Sequence, residues 1–319
     1  MNVDTQSDEA FVNPYLIEGP AHVSTSGGKT SGFMLRQVLD AHGGKLPPDV
    51  HALFCNTGKE REESLLFVHE IETRWDVPIV WLEYVAPDWP EGPLVCFGRG
   101  ANNTLRLGFY SDEDDPGNEA SFRVVSYDTA SRDGEPFDAL IRHRSRLNEH
   151  GGTLPNPVAA WCSSELKQRT MRRWMVAQGY DEWTSVVGLR ADEKKRVARM
   201  NGRKLERGWI ELPLARAGVV EDHVTAYWDA QPFTLHLRAY EGNCDLCFKK
   251  TKRKILTIMA EGPRRAGWWI GGEEQTGARW RQDRPPYVRL QMMAQTQGML
   301  AVGAFDVDEE DALPCNCTD

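Results

Sequence analysis

The chain has 319 residues, of which 40% are hydrophobic and 27% are charged, and this balance is typical of a globular protein and excludes a disordered or fibrous chain. Residues Met1 to Glu9 are polar and acidic, unlike a signal peptide, and no apolar run approaches the ~18 residues of a membrane helix. We therefore expect a cytoplasmic protein with a large buried core.

The first third of the chain alternates apolar strands with amphipathic helices. The spacing of apolar residues predicts three strands, at His22 to Ser24, His51 to Cys55 and Ile79 to Tyr84. It also predicts two helices: one with apolar positions from Phe33 to Leu39 that is stopped by His42 and Gly43, and one at Glu62 to Trp75. Such alternation predicts an α/β fold with a doubly wound, mostly parallel sheet, whose ligands bind at the carboxyl ends of the strands.

The rest of the chain is predicted to begin with a loop-rich insertion at about 85–134, where periodicity fails and Gly, Pro, Asp and Asn are frequent. One strand is predicted at Thr184 to Val187, and helices at Glu135 to Asn148, Ser163 to Gln178, Glu221 to Ala230 and Lys249 to Ala260. We expect an N-terminal extension (1–20), a nucleotide-binding α/β domain (21–215) and a helical, cysteine-containing C-terminal segment (216–319).

A glycine-rich turn, Ser24 to Ser31, lies between the first strand and the first helix. Glycines let successive backbone N–H groups converge on one anion, and the helix N-terminus adds a favourable dipole. Lys29 adds a positive charge, and Ser26, Thr30 and Ser31 add hydroxyl donors. The four-residue spacer of a Walker A loop is missing. An ordinary turn has a similar composition, but the position favours a phosphate-binding loop.

The run Ser26-Gly27-Gly28-Lys29-Thr30-Ser31 is similar to the pyrophosphate loop of the PP-loop ATP pyrophosphatases, in the adenine nucleotide alpha hydrolase superfamily. Phe54 to Glu60, with its Asn56-Thr57-Gly58 element, looks like the branch that contains phosphoadenylyl-sulfate (PAPS) reductases. Trp161 to Lys167 and Gly188 to Glu193 resemble later motifs of that branch, in which a Cys-x-x-x-x-Lys helix and a Gly-x-Arg turn approach the phosphates.

The resemblance covers about Ala21 to Met259 and implies an adenine nucleotide alpha hydrolase-like fold that binds ATP with Mg²⁺. It implies catalytic roles for Lys29, Arg190 and Lys167. The nucleotide-binding residues that it implies are Ser24, Ser26, Gly27, Gly28, Lys29, Thr30, Ser31, Phe54, Asn56, Thr57, Gly58, Gly188 and Arg190.

Two departures from the reductases bear on the reaction. The chain has no Glu-Cys-Gly-Leu-His motif of the kind that carries the nucleophilic cysteine of PAPS reductases. The iron–sulfur adenylyl-sulfate reductases have two adjacent cysteines, whereas Cys162 is followed by Ser163. Sulfate reduction is therefore the weaker interpretation.

Seven cysteines occur in the chain, and disulfides are rare in the cytosol, so their grouping indicates metal or redox chemistry. Cys244 and Cys247 form a Cys-x-x-Cys pair before a predicted helix, where two thiolates can converge on one metal. Cys162 opens another helix. We expect Cys315 or Cys317, near the C-terminus, to supply a fourth ligand.

Other interpretations of this cysteine group stay open: buried apolar thiols, a structural zinc site or a redox dithiol. Thiolate sites accept zinc or iron, and the resemblance implies a [4Fe–4S] cluster beside the nucleotide loop. Cys55 is predicted to be a core thiol, and the sequence assigns no role to Cys96.

The net charge is −9, but eight basic residues and three acidic ones lie between Gly188 and Arg207. Five basic residues and one acidic residue lie between Asp245 and Lys254. Such local excess predicts a bound polyanion, although a solvated helix face gives the same pattern.

The resemblance implies an enzyme that cleaves ATP to AMP and pyrophosphate, and it implies an iron–sulfur-dependent sulfurtransferase or thiolation enzyme. A nucleotide or a nucleic acid (tRNA or DNA) would accept the sulfur, a partner protein would donate it, and a homodimer is compatible with the sequence. The alternatives are a PAPS or adenylyl-sulfate reductase-like oxidoreductase and a nucleotide-binding module with structural zinc.

Overall fold

The structure, a computed structural model, describes residues 13–87, 96–99, 105–107, 120–238 and 240–297. Its strands are β1 (Ala21–Thr25), β2 (Val50–Asn56), β3 (Ile79–Val85), β4 (Cys96–Arg99), β5 (Leu105–Leu107), β6 (Ser121–Val125), β7 (Trp183–Val186), β8 (Lys204–Leu205) and β9 (Gly208–Glu211). Its α-helices are α1 (Lys29–Ala41), α2 (Glu62–Arg74), α3 (Glu135–Leu147), α4 (Trp161–Ser163), α5 (Thr170–Ala177), α6 (Lys194–Met200), α7 (Pro213–Arg216), α8 (Glu221–Asp229), α9 (Lys252–Glu261), α10 (Ala266–Thr276) and α11 (Tyr287–Gln297).

These elements form an α/β fold around a seven-stranded mixed sheet with the order β6-β3-β2-β1-β7-β9-β8. The pairings β3–β2, β2–β1, β1–β7 and β7–β9 are parallel, and the edge strands β6 and β8 pair antiparallel. The prediction of an α/β fold is confirmed.

The central strands are apolar because both faces of the sheet are covered. On β2, Ala52 and Phe54 belong to the core that contains residues of α1, α2 and α8. The alternate residues Leu53 and Cys55 face a second cluster, which contains Trp174 of α5. Cys55 is buried, as expected of a core thiol.

The loops that follow β1 and β7 leave the sheet side by side. These two strands are parallel neighbours, with Val23 opposite Val186, and their chains therefore emerge at the same edge. Neighbouring strands whose connections run to opposite sides of the sheet leave a crevice at such a point. The glycine-rich loop and the Gly188-Leu189-Arg190 turn are brought together in this way.

The region predicted as a loop-rich insertion also contributes structure to the sheet. Ser121–Val125 forms β6, which pairs antiparallel with β3, and Cys96–Arg99 pairs with Leu105–Leu107 in a separate two-stranded sheet. β6 is held by an ion pair between Arg123 and the buried Glu83 (2.6 Å). A single charged residue in a short strand weakens its apolar pattern, which explains why the periodicity did not predict it.

The helix predicted over 163–178 is continuous but not uniform. It consists of α4, a π-helical stretch at Ser164–Arg169, and α5. π-helical turns are rare and frequently occur at functional sites. This one carries Lys167 and begins two residues after Cys162.

The C-terminal helices α9, α10 and α11 form a further hydrophobic core, separate from the two described above. It also contains the Cys-x-x-Cys segment, with Leu246, Cys247 and Trp280 among its residues. The helix predicted from Lys249 begins at Lys252 because the Thr251 hydroxyl caps it, accepting a hydrogen bond from the Lys254 amide (3.2 Å). Within the described part of the chain, no helix has the length and apolar character needed to cross a bilayer.

Candidate functional site

The glycine-rich loop is fixed by the hydroxyl of Ser31, which is almost fully buried. Ser31 Oγ accepts a hydrogen bond from the Ser26 amide and donates one to the Gly28 carbonyl, both at 3.0 Å. Gly27 has a φ of +76°, a conformation that favours glycine. Gly28 caps α1, so the loop leads directly to a helix N-terminus.

Lys29 begins α1 and is held through its backbone, since the Trp228 indole donates to its carbonyl (2.8 Å). Its side chain is half-buried and has no ion-pair partner among the described residues. An ammonium in this position remains available to an anion at the loop.

The Gly188-Leu189-Arg190 turn lies against this loop. The Arg190 guanidinium donates to the Thr30 hydroxyl (3.3 Å) and also contacts Asp192 (3.1 Å) and Glu221 (3.3 Å). Gly188 packs on α1, where an added Cβ would make an ordinary contact with Ser31 Cα at 3.5 Å. Two segments predicted to bind phosphates therefore meet.

The end of β2 is a rigid turn. The buried Asn56 amide donates to Glu83 (2.6 Å) and to the Ser131 carbonyl (2.8 Å), and its oxygen accepts from the Gly58 amide (3.0 Å). Thr57 donates to Glu60 through both its amide and its hydroxyl.

Two predicted nucleotide-binding residues have surroundings that differ from the open loop. The ring of Phe54 is buried and meets Trp81 edge-on, with the centroids 4.8 Å apart. Ser24 lies on β1, with its hydroxyl 3.4 Å from His22 Nδ1. Both are therefore below the loop, within the sheet.

Three cysteines line a single pocket. The residues around this pocket are Thr57, Glu60, Phe137, Cys162, Ser163, Lys167, Cys244, Cys247, Phe248, Lys249 and Trp269. The sequence prediction that Cys162 and the Cys-x-x-Cys pair come together is consistent with this geometry. Lys167 lies here as well, with its ammonium 3.2 Å from Glu60 Oε1.

The Cys-x-x-Cys segment is held against the β2 turn by backbone pairing. Glu60 and Cys244 form an antiparallel bridge, and the Asp245 amide donates to the Lys59 carbonyl (3.2 Å). The Lys250 ammonium donates to the Cys244 carbonyl (2.6 Å). Of the basic residues around the start of α9, Lys249 lines the cysteine pocket and Lys250 bonds to its backbone.

Cys247 is buried and Cys244 is partly exposed, and the pair lies close to negative charge. A hydrogen bond with Cys247 lowers the pKa of the Cys244 thiol, but burial and the charges of Asp245 and Glu60 outweigh it, so that this pKa lies above its usual value. Cys244 is therefore mainly protonated when no ligand is bound.

Asn243 joins the cysteine segment to the glycine-rich loop. Its side-chain amide donates to the Ser26 carbonyl (2.6 Å), and its oxygen accepts from the Ser64 hydroxyl (3.2 Å). Its own carbonyl accepts from the Arg61 amide (2.7 Å). The sequence alone did not predict a role for Asn243, and the only signal was its position immediately before Cys244.

The donor chemistry at the pocket fits a thiolate-bound metal, since three thiols line one cavity. As the described side chains are placed, however, no three His, Cys, Asp or Glu residues form a group that could hold a metal ion. The predicted ligands Cys315 and Cys317 lie outside the described residues, as does the side chain of Cys96.

No protein-family model matches the chain. Over 234 residues it is 25% identical to a protein of Escherichia phage lambda described as "uncharacterized nin region protein ORF290"; the match covers 73% of this chain and 67% of the phage protein. The similarity indicates a distant relative, and the relative's description names no activity.

Proposed function

We propose that the chain is an ATP-dependent enzyme of the PP-loop type that forms AMP and pyrophosphate and transfers sulfur to its adenylated substrate. The observation that carries the proposal is the hydrogen bond between Asn243 and Ser26, because it holds a pocket of three thiols next to a loop suited to phosphates. The two halves of the reaction, activation and sulfur transfer, need adjacent sites.

The sheet order supports a doubly wound nucleotide-binding fold. The five strands joined by parallel pairing run β3-β2-β1-β7-β9, and the chain reverses its direction of winding between β1 and β7. Ligands of such sheets bind in the crevice at that point. In this proposal the ATP phosphates lie on the Ser26 to Ser31 loop, with the adenosine towards the β2 turn.

The residues around the loop can stabilise the charge that develops when pyrophosphate leaves. An oxygen of the acceptor attacks the α-phosphorus of ATP, pyrophosphate is released, and the acceptor becomes adenylated. The Lys29 ammonium and the Arg190 guanidinium neutralise the growing negative charge, and Mg²⁺ bound to the phosphates shares this role. A sulfur nucleophile then displaces AMP, which leaves with the acceptor oxygen.

Cys162, Cys244, Cys247 and a tail cysteine would hold an iron–sulfur cluster, which would supply a site for sulfur or electrons. Lys167 and Lys249 line the same pocket and favour an anionic sulfur species from a donor protein. Thus Lys167 acts at the sulfur side of the site in this proposal, while Lys29 and Arg190 act on the phosphates.

One experiment tests both halves. Protein purified without oxygen is examined by its ultraviolet–visible spectrum and metal content. ATP is then offered with Mg²⁺, a sulfide donor and bulk tRNA or DNA as the acceptor, while AMP and pyrophosphate are measured. We expect a brown protein with about four irons per chain and stoichiometric AMP and pyrophosphate. A colourless protein with one zinc ion and no pyrophosphate would instead indicate a nucleotide-binding module with a structural metal.

A second candidate is a reductase of adenylyl sulfate or PAPS. The hydrogen bond between the Cys244 and Cys247 thiols favours it, since paired thiols can close to a disulfide and deliver two electrons. Release of sulfite from either nucleotide in the presence of a dithiol, without pyrophosphate from ATP, would support the reductase over the sulfurtransferase.

A further inference from the structure

A strongly basic surface lies on the connection between β7 and β9. We define the basic surface as the side chains of Lys194, Lys195, Arg199, Arg203 and Lys204, all of which are exposed. None of these five has an ion-pair partner among the residues that the structure describes.

The acidic residues of the same segment do not offset this charge, because other cations already neutralise them. Asp192 pairs with Arg190 (3.1 Å), Glu193 with Arg196, and Glu206 with Arg172 (3.0 Å). These five cations form a positive patch on a chain whose net charge is −9. A positive patch on an otherwise negative chain indicates a surface that binds a polyanion.

The shape of this region suits an extended partner. Helix α6 has no fully buried residue and rests on the sheet through Val197 and Met200, which pack beside Leu189 and Ile210. Its cations border an open groove of about 530 Å³, lined by Asp192, Glu193, Lys194, Lys195, Arg196 and Arg199. The groove leaves the cations accessible along one side of the helix.

The basic surface begins beside the nucleotide loop. Arg190, which contacts Thr30 of that loop, lies four residues before Lys194 in the chain. A polymer bound along α6 can therefore extend to the crevice between β1 and β7. Small anions such as a free nucleotide need only the loop, and five further cations indicate a ligand with many phosphates.

We propose that the basic surface binds the phosphodiester backbone of a nucleic acid, which presents one nucleotide to the neighbouring site. The proposal extends the proposed function by naming its acceptor class, and it depends on that function only for the reaction that follows binding. The binding itself is electrostatic, so its affinity should fall steeply with salt.

The test measures fluorescence anisotropy of labelled single-stranded RNA, duplex RNA and duplex DNA across a salt series. The test variant is Lys194→Gln/Lys195→Gln/Arg199→Gln. Each phosphate contact contributes about 0.7 to 0.9 to the slope of log affinity against log salt, so the slope should fall by about 2 to 3. The strongest of the three ligands identifies the kind of nucleic acid.

A matched control variant removes the same charge elsewhere. Lys45, Arg279 and Arg289 are exposed and without ion-pair partners in the described part of the chain, and Lys45→Gln/Arg279→Gln/Arg289→Gln should keep the affinity and slope of the unmodified protein. The proposal is overturned if both variants lose affinity equally, if the unmodified protein binds none of the three ligands, or if polyglutamate competes as well as RNA.

ATP binding by calorimetry separates this proposal from the proposed function. The basic-surface variant should bind ATP as tightly as the unmodified protein, because Lys29 and Arg190 are unchanged. Nucleic-acid binding that depends on α6, together with no ATP binding at all, would contradict the proposed function and leave the basic surface supported.

Discussion

The side-chain amide of Asn243 lies 2.6 Å from the carbonyl oxygen of Ser26, across 217 positions of sequence. Asn243 is 3% exposed, and the hydrogen bond is partly buried. The bond links the glycine-rich loop to the cysteine segment. We expect a change at either site to affect the other through this side chain.

Replacement of this side chain should weaken both sites. Asn243→Ala leaves the Ser26 carbonyl and the Ser64 hydroxyl without their partner, and loss of a buried hydrogen bond costs about 1 to 3 kcal/mol. We expect a lower free energy of unfolding by urea and weaker ATP binding by calorimetry. Asn201→Ala, at an exposed position, should change neither; equal effects of the two variants would show that Asn243 has no coupling role.

Lys29→Ala should abolish detectable ATP binding with little effect on the fold, because the ammonium has no ion-pair partner in the described part of the protein. Lys45→Ala is the matched control, and calorimetry with circular dichroism gives the answer. Gly27→Val should also prevent binding, but the φ of +76° at Gly27 adds about 1 to 2 kcal/mol of backbone strain. ATP affinity that survives in Lys29→Ala would argue against the loop assignment.

Arg190→Lys should reduce turnover by at least about tenfold, equivalent to ~1.4 kcal/mol in the activation free energy. A lysine keeps the charge but cannot contact Thr30 and a phosphate with separate nitrogens of one planar group. Pyrophosphate release at saturating ATP measures the effect. Arg216→Lys, which changes an exposed arginine paired with Glu211, should retain full turnover, and so should Arg190→Lys if Arg190 is only a surface residue.

Cys→Ser changes should affect iron content only where the cysteine lies at the pocket or in the C-terminal tail. Cys162→Ser, Cys244→Ser and Cys247→Ser each remove a thiol from the pocket and should lose iron and the brown colour. Cys55→Ser changes a buried thiol in a different cluster and should retain both. The double change Cys315→Ser/Cys317→Ser should reduce iron content or turnover; unchanged values for both would show that the tail takes no part.

The stability of the fold should depend on pH through His22. Burial, with a smaller effect from His51, lowers the pKa of His22 to about 4, whereas the unfolded chain has a value near 6.5. The unfolded state therefore binds a proton more readily, and stability present above pH 6.5 is lost as the pH falls towards 4. Between pH 7.5 and pH 5 this loss amounts to about 2 kcal/mol.

Urea unfolding at these two pH values measures the contribution. His22→Gln should show a smaller loss on acidification than the unmodified protein, although it is less stable at pH 7.5 because its bond with Ser185 (2.9 Å) is altered. His150→Gln, which changes an exposed histidine, should retain the full dependence. Identical pH dependence in all three proteins would mean that His22 is not protonated differently on unfolding.

The local pattern of apolar residues predicted much of the fold. The predicted bounds of β1, β2 and β3 agree with the structure to within one residue at each end, because buried strands of a parallel sheet are continuous apolar runs. The π-helical register at Ser164–Arg169 was not predictable, since such turns carry no distinct composition. The start of α9 was misplaced because the Thr251 cap outweighs the helix propensity of Lys249.

Only part of the candidate site could be predicted from the sequence. The loop from Ser26 to Ser31 is one contiguous segment, so its chemistry can be read from neighbouring residues. The contacts of Asn243 and the pairing of Glu60 with Cys244 join distant parts of the chain. No periodicity or spacing encodes such contacts, and only the folded chain brings them together.

The pairing of Val85 with Ser121 has an evolutionary consequence. Adjacent strands hold the two ends of the intervening segment together, so the cost of closing that loop grows only slowly with its length. Sequences of different length can therefore be exchanged between these positions while Glu83, Arg123 and the crevice stay in place. Related proteins should differ most in length here, because this segment can change without rebuilding the crevice.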